Sequence, residues 1–348
     1  LGFLICLYFL LLIQGSSVYG IGSILQKALS FLLIPIYTRF LTTNDYGIIA
    51  TLNSLSAFLV PVFFMGLGSS VTRYYFEYKE DKKKLKDFLS SVFSFLLIIN
   101  FLFALILSIF GKKIFALITP DIRFNPYILL TIWQVVFLIS FQIYLYFLRA
   151  KEKAKQYVSL QIAKFLFSTL LIVLFVTILK WGVLGSIRGY FLSSFLFFLI
   201  VIFLNIKKGN IKKTLKLNYV KEALKYGLPL IPHTLAGWII TQSDKIFLSN
   251  MRSMSETGIY DLGYKIAMGV ALFAGAINYA WSPIFYDTAD NEKNAKKIFA
   301  KLFNVYLFII CFLALTLSLF SKEIVQLMAS TEYQSAHKIV PFIILGYR

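Results

Sequence analysis

Four lysines, Lys27, Lys164, Lys245 and Lys265, stand inside apolar runs long enough to cross a bilayer, and Asp244 and Asp261 lie close to two of them in sequence. A charged side chain at the centre of a membrane helix costs roughly 2.5–3.5 kcal/mol on insertion scales, so it snorkels to an interface, pairs with an opposite charge, or lines a wet cavity. Lys27 falls about midway along its run, and Ser16, Ser23, Lys27 and Ser30 are spaced 7, 4 and 3 apart. That spacing makes one polar stripe on an otherwise apolar helix, which favours a lumen-facing lysine. For Lys164 and Lys265, each within about two turns of a helix end, snorkelling and lumen-facing readings are both open. Asp244 has Lys245, Lys265 or the outer interface open to it as a partner. Asp261 and Lys265, four apart, suit an ordinary intrahelical pair.

Catalytic signals are missing from the sequence. Cys6 and Cys311 stand alone in apolar runs, which gives neither a disulfide framework nor a metal site. His233 and His337 have no partner at ligand spacing, and there is no HExxH, no Walker-type glycine loop and no nucleophile elbow. No cofactor is expected, and ATP hydrolysis by this chain is not. An ion gradient or the membrane potential, about 2.3 kcal/mol per charge per 100 mV, remains as a source of energy.

The elements that must hold the lysines follow from composition. The chain has 348 residues, 59% of them hydrophobic and 15% charged, against about 25% charged in soluble domains. Ten apolar windows of bilayer length are read at roughly 16–41, 46–68, 88–110, 127–148, 157–179, 183–206, 227–250, 257–280, 299–320 and from 336 onward. The expected class is all-α, a polytopic transmembrane bundle. Basic residues crowd alternate loops: Arg73, Lys79, Lys82, Lys83, Lys84 and Lys86, then Arg149, Lys151, Lys153 and Lys155, then a run from Lys207 to Lys225, then Lys293, Lys296, Lys297 and Lys301. Even-numbered helices therefore end in the cytoplasm. The same periodic placement accounts for the net charge of +19 and leaves no patch for nucleic acid.

The loops are too short to hold a soluble catalytic domain. In the longest polar stretch, residues 206–227, Leu217, Val220 and Leu224 recur at helical spacing among lysines. This predicts an amphipathic helix on the inner membrane surface, a natural hinge between two six-helix halves. Placing Gly47 over Gly258, an offset of 211, aligns "NDYGIIATL" with "SETGIYDLG", a helix-starting turn with an acidic residue in each. The expected organisation is an N-terminal extension or fragment at 1–13, a first lobe at 14–206, a linker at 207–226, and a second lobe at 227–348 truncated in its fourth helix. Pro35, Pro61, Pro229 and Pro232 are expected to interrupt membrane helices.

Several stretches resemble one family. "SILQKALSFLLIPIYTRFLTTNDYGIIATLNSL", "MGLGSSVTRYY", "YFLRAKEKAKQY" and "YGLPLIPHTLAGWIITQSDKIFLSNMRSMSETGIYDLGYKIA" are similar to the Wzx-type polysaccharide flippases of the multidrug/oligosaccharidyl-lipid/polysaccharide exporter superfamily. The resemblance implies two six-helix lobes around a central cavity, in a multi-pass protein of the bacterial cytoplasmic membrane. It implies a lipid-linked oligosaccharide substrate, membrane lipids around the protein, and a polysaccharide polymerase and chain-length regulator as partners. In that setting Lys27, Lys164, Lys245 and Lys265 would hold the substrate's diphosphate, with Asp244 and Asp261 serving coupling or structural ion pairs. An ion-coupled multidrug antiporter or a lipid II flippase of the same superfamily is the alternative. From another class, a membrane-embedded glycan polymerase or acyltransferase competes, although the outer loops are short and chemically plain.

Overall fold

The computed structural model describes residues 31, 33–207, 214–291 and 295–346. Lys27 and its serine stripe lie outside the described residues. The helices are α1 (Ile34–Phe40), α2 (Thr43–Phe64), α3 (Leu67–Tyr78), α4 (Lys82–Ile118), α5 (Leu129–Ala150), α6 (Ala154–Val173), α7 (Gly182–Lys207), α8 (Leu217–Gly227), α9 (Ile231–Met251), α10 (Met254–Asn291), α11 (Ala295–Leu319), α12 (Ser321–Met328) and α13 (Val340–Gly346). There is no strand among the described residues. In lipid, only structures that satisfy their own backbone hydrogen bonds can span, and helices do so within one segment.

Six spans among the described residues are long and apolar enough to cross a membrane: Thr43–Tyr78, Lys82–Ile118, Phe124–Ala150, Ala154–Ile178, Gly182–Lys207 and Ala295–Leu319. The expected seventh helix exists as α9, but Thr241, Gln242, Ser243, Asp244 and Lys245 form one polar run in it and lower its hydropathy. By contact the chain divides into two units, one of Asn44–Thr257 and the other of Gly258–Arg348 with the chain up to Thr43.

Within the first of these, α5 is central. Ile132, Val135, Val136 and Ile139 are fully buried in it, and it packs on α3, α4 and α7. Phe137 of α5 meets Phe191, Phe195 and Phe198 of α7, the nearest ring centroid lying 5.0 Å away. Helix α7 meets α6 through Gly189 and Ser193, and one turn earlier Gly185 meets Phe175 just beyond the end of α6. A Cβ on Gly189 would come within 2.6 Å of Ile172. Membrane helices without a hydrophobic drive to associate gain from this close van der Waals approach.

Helix α8 forms as expected, but its buried face differs. Val220, Ala223 and Gly227 are buried against protein while Leu217 is 62% exposed. The partners are α3, most of it supplied by the stretch "MGLGSSVTRYY", and the start of α4. Ser70 Oγ donates to the Ala223 carbonyl at 2.6 Å, Arg73 lies 4.6 Å over the Tyr226 ring, and Tyr78 OH donates to Glu222 at 2.8 Å. Lys216 Nζ donates to Asp87 Oδ2 at 2.6 Å, and this bond raises its pKa above the usual lysine value. Backbone meets backbone at Gly66 and Gly227, where a Cβ on Gly66 would lie 2.1 Å from the Gly227 oxygen.

The prolines correct one expectation. Helix α2 runs through Pro61 to Phe64, and the chain turns at Met65 and Gly66, which hold φ of 51° and 67°. Pro229 and Pro232 stand at the joint between α8 and α9, and Pro232 occupies the first turn of α9. A first turn has no intrahelical use for the missing N–H, so proline starts α9 rather than breaking it.

In the other unit α10 packs its Leu262, Ile266, Ala267 and Val270 inward. Thr38 Oγ1 donates to the Met328 carbonyl at 3.1 Å and Tyr333 OH to the Leu41 carbonyl at 2.9 Å, tying α1 to the C-terminal segment. The internal correspondence reaches local geometry. Helices α1 and α9 end at Phe40 and Met251, and α2 and α10 begin at Thr43 and Met254, so 251 − 40 and 254 − 43 both equal 211. Asp45 and Glu256 sit in the first turns, where a carboxylate meets the positive helix end.

Candidate functional site

Among the described residues, the charged residues read from sequence fall in three places. Lys164 is half-buried on α6, its Nζ 5.7 Å from the centroid of Phe141. Ser193 Oγ of α7 donates to the Lys164 carbonyl at 3.4 Å, so the small-residue seam between α6 and α7 fixes its position. Lys245 is 6% exposed on α9. Its Nζ donates to Gln242 Oε1 at 3.0 Å and its backbone N–H to Asp244 Oδ1 at 2.9 Å.

Around Lys245 a polar seam joins α9 to α2. Ser54 Oγ donates to the Gln242 carbonyl at 2.7 Å, while Trp238 Nε1 donates to the Ser54 carbonyl at 2.9 Å. The Trp238 ring also meets Phe58 with centroids 5.0 Å apart. Buried hydroxyl, amide and indole groups are thus satisfied across the helix pair, which holds the lysine-bearing turn in one register. Asp261 and Lys265 belong to the other unit, where they close an ion pair at 2.8 Å with Asp261 buried and Lys265 about a third exposed. The structure therefore pairs the side chains of Asp261 and Lys265, while Asp244 accepts from the Lys245 backbone N–H and the Lys245 ammonium reaches Gln242.

A second constellation was not singled out from sequence. Gln142, Leu145, Tyr146 and Arg149 of α5 face Tyr157 and Gln161 of α6 across a cavity of about 220 Å³. Gln161 Nε2 donates to Tyr157 OH at 3.3 Å, and Tyr146 is held by Phe64, centroids 5.5 Å apart. The lining combines an exposed guanidinium in the last turn of α5 with two amides and two phenols. Amides and phenols exchange hydrogen bonds with hydroxyl-rich ligands, aromatic faces stack on sugar rings, and arginine grips phosphate with a planar fork. The signal was present in part, because 142, 146 and 149 recur at one-turn spacing and "YFLRAKEKAKQY" contains Tyr146, Arg149 and Tyr157. Arg149 was read only as a topology marker.

Among the described residues no cluster of metal-ligating side chains occurs. The fold is that of a polytopic helical bundle. Solved structures similar to it include a multidrug resistance MATE family transporter of the MOP superfamily in an inward-facing conformation, 15% identical, TM-score 0.65, covering 92% of this chain and 78% of that one. Another is a MOP superfamily transporter from Pyrococcus furiosus, described as having a binding pocket of reverse polarity, 13% identical, TM-score 0.57, covering 96% and 79%. Two Haemophilus influenzae proteins are similar in sequence, a product of the Lsg locus at 24% identity over 80% of this chain and an uncharacterized membrane protein at 27% over 79%. The matched stretch spans 67% and 65% of their lengths, about two thirds.

The chain belongs to the polysaccharide biosynthesis protein family, whose sequence profile matches residues 12–289. This agrees with the resemblance carried by the quoted stretches.

Proposed function

We propose that this protein is a flippase that moves undecaprenyl-diphosphate-linked oligosaccharide repeat units across the bacterial cytoplasmic membrane by alternating access, for assembly of a surface polysaccharide. Membership of the polysaccharide biosynthesis family supports a lipid-linked sugar as cargo. The observation that carries the reading is the α5–α6 pocket, where Arg149 stands beside Tyr146, Tyr157, Gln142 and Gln161. A headgroup made of sugar and diphosphate needs both kinds of partner. Lys27, Lys164, Lys245 and Lys265 supply cations for the diphosphate, and Asp244 and Asp261 serve coupling or as structural ion pairs. A site for cationic drugs would favour carboxylates over this excess of lysines. Transport needs no cofactor in this reading, and a polymerase and chain-length regulator receive the product.

The test is translocation in proteoliposomes that hold the full-length protein and a polyprenyl-diphosphate oligosaccharide, with lectin capture of glycan reaching the opposite leaflet. Lys27→Ala and Arg149→Ala should each slow transfer at least about tenfold without loss of inserted protein, since charge-assisted hydrogen bonds to phosphate are among the strong ones. Lys27→Arg, which keeps the charge, should retain part of the rate. Failure of the unaltered protein to move glycan, with ion-driven extrusion of a cationic dye instead, would overturn the reading in favour of an antiporter.

A further inference from the structure

A second cleft lies at the ends of α3, α4 and α5 that the lysine asymmetry assigns to the cytoplasm. It encloses about 390 Å³ and is lined by Tyr75 and Lys79 of α3, Lys82, Leu85, Lys86 and Leu89 of α4, and Phe147 with the adjoining Lys151. Four of the eight lining residues are lysines and none is a carboxylate. Lys82, Leu85, Lys86 and Leu89 follow one another at spacings of 3, 1 and 3, so cations and apolar groups share one face of the first two turns of α4. Phe147 is buried in the wall, and the Lys151 ammonium lies 4.2 Å from its ring centroid. Of the nearby acids, Glu80 reaches the lining Lys79 at 3.9 Å with its own side chain 89% exposed, Glu152 lies near Tyr75, and Asp81 caps α4, so Lys82, Lys86 and Lys151 carry the argument.

We infer that this cleft binds the headgroup of an anionic phospholipid from the cytoplasmic leaflet, with the acyl chain against Leu85, Leu89 and Phe147. A basic pocket between membrane helices on the cytoplasmic side has the charge and depth to hold a phosphodiester, and its apolar wall suits the chain that must follow. The lining also says what it does not read. Apart from Tyr75 it offers no hydroxyl, no amide and no guanidinium, in contrast to the α5–α6 pocket with Arg149, Gln142 and Gln161. Lysine ammonium groups are compact point charges without the fork that selects one phosphate geometry. The ligand is therefore recognised by negative charge beside an acyl chain. All eight lining residues belong to the Asn44–Thr257 unit, so the site is complete within it.

Lysines placed only to set topology would give the same net charge without a site, and the neighbouring exposed pair Lys83 and Lys84, which does not line the cleft, separates the two cases. Purified full-length protein in mixed micelles is titrated with dioleoyl phosphatidylglycerol or dioleoyl phosphatidylcholine, and bound lipid is counted by native mass spectrometry. Phosphatidylglycerol should be retained over phosphatidylcholine. At about fivefold per cation near a membrane surface, Lys82→Gln with Lys86→Gln should weaken its binding roughly 25-fold, while Lys83→Gln with Lys84→Gln changes it less than about twofold. Equal losses in the two double variants, or no preference between the lipids, would overturn the inference. Displacement of phosphatidylglycerol from the cleft by a polyprenyl diphosphate, lost with Lys82→Gln and Lys86→Gln, would overturn it too, since the cleft would then belong to the cargo.

Discussion

Replacing Gly66 by alanine tests how the turn after α2 holds the linker helix. Two costs are separable there. Gly66 has φ of +67°, a left-handed conformation that costs an L side chain roughly 1–2 kcal/mol. Its new Cβ would also meet Gly227 backbone at 2.1 Å from O and 2.6 Å from C, and inserting atoms into such a contact costs about 1–3 kcal/mol. Together the loss is about 2–5 kcal/mol. At about 2 °C per kcal/mol for a chain of this size, the melting temperature falls by about 4–10 °C. Gly182→Ala isolates the first cost, because φ there is +55° and nothing lies within 4 Å of the added Cβ; it should lower melting by about 2–4 °C. Gly227→Ala isolates the second, since it would place Cβ 2.6 Å from the Met65 carbonyl at an ordinary φ. Thermal unfolding of detergent-solubilised protein, read by size-exclusion fluorescence, ranks the three. If Gly66→Ala melts no lower than Gly182→Ala, the backbone contact between the two glycines is not what seats α8.

Three further outcomes follow from the same contacts. Asp87→Asn should raise hydrogen exchange across Leu217–Gly227 severalfold by releasing Lys216, and the tether should be pH-sensitive in a known direction. The Lys216 pKa is raised by the Asp87 hydrogen bond, so its contribution is complete below the ordinary lysine value of 10.5 and lost as pH climbs through the raised value; protection of α8 amides that falls between pH 7 and 9, after correction for the base-catalysed intrinsic exchange rate, would contradict this. Lys265→Ala leaves the buried Asp261 carboxylate short of its 2.8 Å partner and should destabilise by about 1–3 kcal/mol, a buried-pair figure discounted for the partial exposure of the lysine. The double change Lys265→Met with Asp261→Asn should recover most of that loss in the same melting assay. Reporters fused near Lys84 and Lys153 should read as cytoplasmic and those near Lys112 and Arg252 as external; reversed signals at most of these sites would refute the orientation drawn from lysine asymmetry.

The sequence by itself determined the class, because the length and apolarity of each run are properties of one segment in contact with lipid. It also determined the paired helix starts at Thr43 and Met254, since a carboxylate in the first turn acts on its own helix. The Asp261–Lys265 spacing was legible for the same reason. Which stripes meet was decided only by tertiary structure. The apolar pattern of α8 predicted a helix, yet Val220 and Ala223 are buried and Leu217 is exposed because α3 offers Ser70, Arg73 and the Gly66 turn along one side. Gln142, Tyr146 and Arg149 became a pocket only when α6 brought Tyr157 and Gln161 opposite them. Helical periodicity fixes the face a side chain occupies on its own helix, whereas the neighbour across that face is set by close-packed glycine and serine seams between segments far apart in the chain.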